Sequence, residues 1–147
     1  MMKDAKIRAC SAVAVSADTI VTAAHCISPG MTMFIDKIPV SYAQPVSIGF
    51  DIVEIKITGM SFDLWTQWSQ VQPKQGDKVR WWGNPEGNPN MYREGVIART
   101  DPLIVDATIC PGDSGSGLFN ASGNLIGIVV QRTSASGCSF MVASEPN

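Results

Sequence analysis

The chain of 147 residues is long enough for one domain of ordinary size and too short for two independent ones. A hydrophobic fraction of 45%, a charged fraction of 16%, 13 glycines and 9 prolines describe a turn-rich globular protein and exclude a disordered or coiled-coil one. The net charge of −2 supplies no positive field for phosphates or anionic lipid, so neither nucleic acid nor a membrane surface is an expected partner. No apolar run approaches the roughly 20 residues of a membrane span. The opening MMKDAKIRAC puts charge where a signal peptide carries its apolar core, so no export signal is read in this chain.

Short apolar runs punctuated by Gly, Pro, Asn and Asp predict strands over residues 7–15, 19–22, 31–35, 39–42 and 52–57. Further runs follow at 78–82, 95–99, 103–105, 117–119, 125–131 and 139–143. Their β-branched content and lengths near five residues indicate an all-β sandwich or barrel. No segment holds a helical apolar period over three turns, so helix is expected only as short turns after His25 and around 63–70. Residues 58–76, with TGMSFD and QPKQGD at the ends, are the least strand-like and read as a connection between two lobes. Adjacent Trp81 and Trp82 point to opposite faces of their strand.

The sharpest chemical signal is Cys110-Pro111-Gly112-Asp113-Ser114-Gly115-Ser116-Gly117. A hydroxyl flanked by glycines can sit on a tight turn with its oxygen presented, which makes Ser114 a candidate nucleophile. The N–H groups of Gly112 and Ser114 can converge on one point, as an acyl-transfer oxyanion needs. A serine requires an adjacent base, and His25, in Val21-Thr22-Ala23-Ala24-His25-Cys26, is the only imidazole in the chain. A carboxylate must then orient that imidazole. Asp51, opening DIVEIKI, and Asp63, in the irregular connection, both qualify. Cys10, Cys26, Cys110 and Cys138 form an even set without a CxxC spacing, and with one histidine no metal site is expected.

TAAHC, DIVEIKI and GDSGSG, in that order, resemble the three catalytic blocks of the trypsin/chymotrypsin-like serine proteases. The resemblance extends from Cys10 to about Ala143. Residues 75–87 are similar to the GD…GNPxG stretch of bacterial and HtrA-type members. It implies a chymotrypsin-like fold of two six-stranded antiparallel β-barrels with the active site in the cleft between them. The whole chain, 1–147, would be one peptidase domain. An N-terminal lobe, 1–70, would carry His25 and Asp51, and a C-terminal lobe, 71–147, would carry Ser114. The family's acid begins a strand upstream of GNPxG, which Asp51 matches and Asp63 does not. The family's disulfides imply Cys10 with Cys26 and Cys110 with Cys138.

By the same resemblance the chain is a serine endopeptidase. Ser114 attacks, His25 moves the proton, Asp51 orients His25, and the N–H groups of Gly112 and Ser114 hold the oxyanion, with no cofactor. Thr108, six residues before Ser114, lies at the base of the implied substrate pocket, with Val130, Gln131 and Arg132 along its edge. Uncharged Thr108 does not favour a Lys or Arg side chain, and a small, polar or apolar residue is expected at the cleaved position. The substrate is a polypeptide, the protein's own precursor included, and the enzyme is expected to act as a monomer. The cysteine pattern points to an extracellular or virion-associated setting. No Ile-Val-Gly-Gly start is present to supply a new amino terminus for Asp113, so the oxyanion loop must be ordered by other means. Ser116 stands where the commoner GDSGG has a glycine. From a different class, the alternative is a catalytically idle protease-like fold used as a binding module. The presence of all three triad residue types argues against it.

Overall fold

The computed structural model describes residues 10–83, 91–100, 102–109, 113–132 and 139–146. Among the described residues twelve strands alternate with turns: β1 (Val13–Ala14), β2 (Thr19–Ala23), β3 (Met33–Ile35), β4 (Ile38–Tyr42), β5 (Val46–Gly49) and β6 (Ile52–Thr58). β7 (Lys78–Gly83), β8 (Met91–Thr100), β9 (Leu103–Ile109), β10 (Gly117–Phe119), β11 (Leu125–Arg132) and β12 (Ser139–Ser144) follow. The only helix among the described residues is a single 3-10 turn, Ala24–Cys26. None is long and apolar enough to cross a membrane.

The first six strands form one antiparallel sheet in the order β1-β2-β6-β4-β3, with β5 added to β6. β6 is its spine. One edge pairs with β2 from Lys56 to Ile52, and the other takes β5 near its start and β4 near its end. The sequence IVEIKIT explains the position, because Val53, Ile55 and Ile57 alternate onto one face and join Ile20 and Met33 in a core of their own. The last six strands close completely in the order β10-β11-β12-β9-β8-β7, with Phe119 of β10 returning to Arg80 of β7. Closure removes every sheet edge and surrounds Val79, Trp81, Ile97, Leu103, Val105, Leu118 and Val129. The expected pair of six-stranded antiparallel lobes is thus present. One is a closed barrel, and the other, over the described residues, is a curled half-barrel.

A third apolar cluster joins the lobes. Val21, Ala23, Cys26 and Ile52 from the first pack against Leu125, Ile128 and Val130 of β11, with Trp68 and Phe119 at the margin. β2 and β11 therefore lie back to back, each burying both faces.

Two sequence expectations need correction. Val46–Gly49 is a strand that short-run reading passed over, and residues 63–70 make no helical turn. That stretch is extended because its backbone finds partners in both lobes. Thr66 N–H donates to the Ala14 carbonyl, Ser69 N–H to that of Leu125, and Leu125 N–H to that of Gln67. Trp81 is fully buried and Trp82 is 47% exposed, so the two rings do face opposite ways.

Candidate active site

β2 delivers His25. Small Ala23 is fully buried in the cluster between the lobes and pairs with Ile52, so the chain leaving β2 turns directly beside the residue that precedes β6. That residue is Asp51, whose φ of +54° lies in the left-handed region, which aspartate tolerates better than most residues. Its carbonyl accepts the Ala24 N–H at 2.7 Å, and its Oδ1 accepts the His25 N–H at 2.9 Å. Its Oδ2 lies 2.6 Å from His25 Nδ1. An ionised carboxylate only accepts, so Nδ1 carries the hydrogen in this contact and the ring's orientation is set by one residue gripping three atoms. Behind the imidazole, buried Cys26 is disulfide-bonded to Cys10. Asp63 is exposed in the connection, and the carboxylate that meets the imidazole is that of Asp51.

Ser114 sits on a turn at the mouth of the closed barrel. Ser116 N–H donates to the Asp113 carbonyl, Gly115 N–H to that of Val129, and Val129 N–H to that of Ser116, which docks the turn on β11. Gly115 has φ +90°, and a Cβ there would collide with the Ser11 carbonyl oxygen and come within 2.5 Å of Thr22 Oγ1. Only glycine fits. The first lobe reaches across to this turn. Ser11 N–H donates to the Ser114 carbonyl at 2.8 Å, while the Thr22 hydroxyl donates to the Ser11 carbonyl at 2.7 Å. Ser11 follows Cys10, so β2, which leads into the His25 turn, and the turn that presents Ser114 share one short segment as a neighbour.

Asp113 is fully buried, and its Oδ2 accepts from Arg93 Nη1 at 3.1 Å. The guanidinium carbon lies 5.3 Å from the centroid of the Trp81 ring. Sequence reading raised the question of a partner for Asp113 and did not name Arg93, nor did it give Ser11 or Thr22 a role at the site. Ser116 is buried at 1% exposure, which suits the small residue found in place of glycine.

Cys110, Gly112 and Cys138 lie outside the described residues, as do the side chains of Thr108, Gln131 and Arg132. Val130 is 1% exposed, with its side chain in the cluster between the lobes. Among the described residues no three His, Cys, Asp or Glu side chains are grouped as metal ligands.

A family model described as a trypsin-like peptidase domain matches residues 10–128. Among solved structures, the HtrA-type protease AlgW with a decapeptide is 27% identical, with a TM-score of 0.75 over 94% of this chain and 48% of that one. The same protease with a tripeptide gives 26% identity and a TM-score of 0.73 over 94% and 52%. Rv3671c from M. tuberculosis, a serine-to-alanine mutant in an inactive form, has the same fold at 17% identity, with a TM-score of 0.68 over 90% and 74%. The chain thus spans about half the length of the AlgW chains it resembles. No curated protein matches it in sequence.

Proposed function

Since the chain belongs to the trypsin-like peptidase family, we propose that it is a serine endopeptidase working through Ser114, His25 and Asp51. The observation that carries this reading is the contact of His25 Nδ1 with Asp51 Oδ2 at 2.6 Å. With Nδ1 committed to the carboxylate, the ring exchanges protons through Nε2, and the carboxylate stabilises the imidazolium formed in the transition state. Ser114 Oγ bonds to the scissile carbonyl carbon as its proton passes to His25. The N–H groups of Gly112 and Ser114 receive the developing oxyanion. His25 returns the proton to the leaving amine, and water hydrolyses the acyl-enzyme by the same steps, with no cofactor.

The substrate is a polypeptide, a reading supported by the peptide complexes of AlgW. The hollow beside the His25 turn, lined by Ala24, Ile27, Pro29, Tyr42, Pro45 and Val53, has no charged side chain, which favours small or apolar residues near the cleaved bond. The Cys10–Cys26 disulfide supports an extracellular or virion-associated setting.

Labelling of the purified protein by a fluorophosphonate tests the triad. The protein should label, and Ser114→Ala and His25→Ala should each abolish labelling, with peptide hydrolysis falling by at least about 10³-fold. A folded protein that neither labels nor cleaves a peptide library would instead be an idle binding module.

A further inference from the structure

The outward side of β7 and β8 takes no part in the candidate site. Val79 and Trp81 of β7 and Ile97 of β8 point into the barrel core, so their neighbours along each strand point out. The register sets Trp82 opposite Tyr92, Arg80 opposite Glu94 and Lys78 opposite Val96, three cross-strand rows on one face. Trp82 is 47%, Tyr92 50% and Val96 40% exposed. The Trp82 ring meets that of Tyr92 edge-on at 5.2 Å and that of Phe119, on β10, at 5.9 Å, so the rings are already ordered against one another. Exposed apolar side chains gathered on one face mark an interaction surface, and Trp, Tyr and Arg carry most of the binding energy at such surfaces.

The charges of the middle row say what covers it. Arg80 and Glu94 are cross-strand neighbours of opposite sign, yet among the described residues neither makes an ion pair with the other or with a third group. Arg80 Nη2 lies 3.7 Å from the position a Cβ would take on Gly123, in the turn after β10, so the guanidinium leans away from β8. Its Nε is buried without a hydrogen-bond partner. Part of this group has lost water without gaining an acceptor, and its other N–H groups are left to a carboxylate from outside the sheet. Glu94 is exposed and equally lacks a cation.

A second copy of the same face supplies both. A two-fold axis parallel to the strands and midway between β7 and β8 lays β7 of each copy over β8 of the other. Arg80 then faces Glu94 twice, Trp82 faces Tyr92 twice, and the stem of Lys78 covers Val96. We infer that the outer face of β7 and β8 is a self-association surface on which two copies of this chain pair about that axis. The pairing is isologous, since one patch serves both copies. A partner of another kind would need to answer only one sign of charge at a time, whereas the reversal of sign across the row fits the face to itself. The inference departs from the monomer expected from the sequence. It does not rest on the serine-protease reading, because these side chains lie on the opposite side of the two strands from Arg93 and Asp113.

Sedimentation velocity of the full chain over a range of concentrations tests it. The wild-type protein should pass from monomer to dimer between about 1 and about 100 µM, as suits a small interface. Arg80→Glu and Glu94→Arg each set like charges face to face twice and should weaken the dimer at least about tenfold. Mixed in equal amounts, the two variants should dimerise with each other as strongly as the wild type, because every position 80 then faces a position 94 of opposite charge. Trp82→Ser changes no charge, should also weaken the dimer at least about tenfold, and keeps the test decisive if a charge reversal does not fold. Circular dichroism identifies the folded variants. A wild-type chain that stays monomeric at about 200 µM would overturn the inference. So would association that is unchanged in a folded Arg80→Glu, Glu94→Arg or Trp82→Ser variant, which places the interface elsewhere, or two folded charge reversals that fail to associate when mixed.

Discussion

The two lobes solve the same problem by different means. The C-terminal lobe is a closed barrel in which every strand has two neighbours, while the N-terminal sheet ends at β1 and β3 and curls without closing over the described residues. In the closed lobe the strand network itself carries the candidate site. β11 holds the Ser114 turn by backbone pairing, and β8 sends Arg93 to the buried Asp113. In the open lobe the pairing of β2 with β6 ends at Ala23 and Ile52, one step short of the turn that bears His25, and local devices take over there. One aspartate grips the backbone of Ala24 and both the backbone and the ring of His25, and a disulfide ties the next residue to Cys10. Where strand pairing does not define a loop, single residues with several contacts must do so, and such loops are the more sensitive to point changes.

The largest expected effect breaks that multivalent grip. Asp51→Asn should reduce kcat by about 10⁴-fold, because the amide favours the wrong tautomer of His25, while Asp63→Asn should stay within about twofold. A large loss at Asp63 alone would move the orienting role out of the β6 turn.

Gly115→Ala should lower the unfolding free energy by about 4 kcal/mol, read from urea denaturation, since a left-handed backbone and a collision with Ser11 act together. Gly123→Ala sharpens the point. At φ +84°, with only Arg80 Nη2 at 3.7 Å, it should lose only about 1 kcal/mol.

Replacing Cys10 and Cys26 by serine should remove about 3 kcal/mol and slow fluorophosphonate labelling, with the change in hydrogen exchange concentrated around residues 10–26. Labelling unchanged in that variant would show that Ser11 keeps its place on Ser114 without the staple.

The smallest effect belongs to the surface of the open lobe. Hydrogen bonds from Thr19 and Ser16, and the charge of Lys56, hold the Asp18 carboxyl below its usual 3.8. A depressed carboxylate stabilises the fold above the unfolded-state value and loses that contribution as pH falls through the folded one. Asp18→Asn should therefore shift the thermal midpoint slightly near neutral pH and not at all in strong acid.

Much of this architecture is legible in the alternation of apolar residues. IVEIKIT, with Val53, Ile55 and Ile57 on one face, can only be a strand with one covered side, and the predicted run at 117–119 coincides with β10. β5 escapes such reading because Val46 is 61% exposed and Gly49 is packed against the Glu145 carbonyl, so its strand character comes from pairing with β6 rather than from its own pattern. The stretch 63–70 misleads for the converse reason, since its hydrogen-bond partners are distant in sequence and local propensity does not see them. His25 and Asp51 meet because β2 and β6 pair in register, which their motifs encode. Arg93 and Ser11 gain their roles only through the convergence of distant segments on one turn. Nothing in MYREGVIART distinguishes Arg93 from Arg99, yet one faces Asp113 and the other is exposed.

The cluster formed by Val21, Ala23, Cys26 and Ile52 with Leu125, Ile128 and Val130 belongs to neither lobe. Each half of the chain, made alone, would leave a sticky apolar face open to water, so the two sheets must condense in a single cooperative event. During synthesis the half that bears His25 emerges first and has to wait, with that face uncovered, until β11 arrives. A chain that is still incomplete then holds His25 and Asp51 without Ser114, so the proposed triad is complete only when folding is.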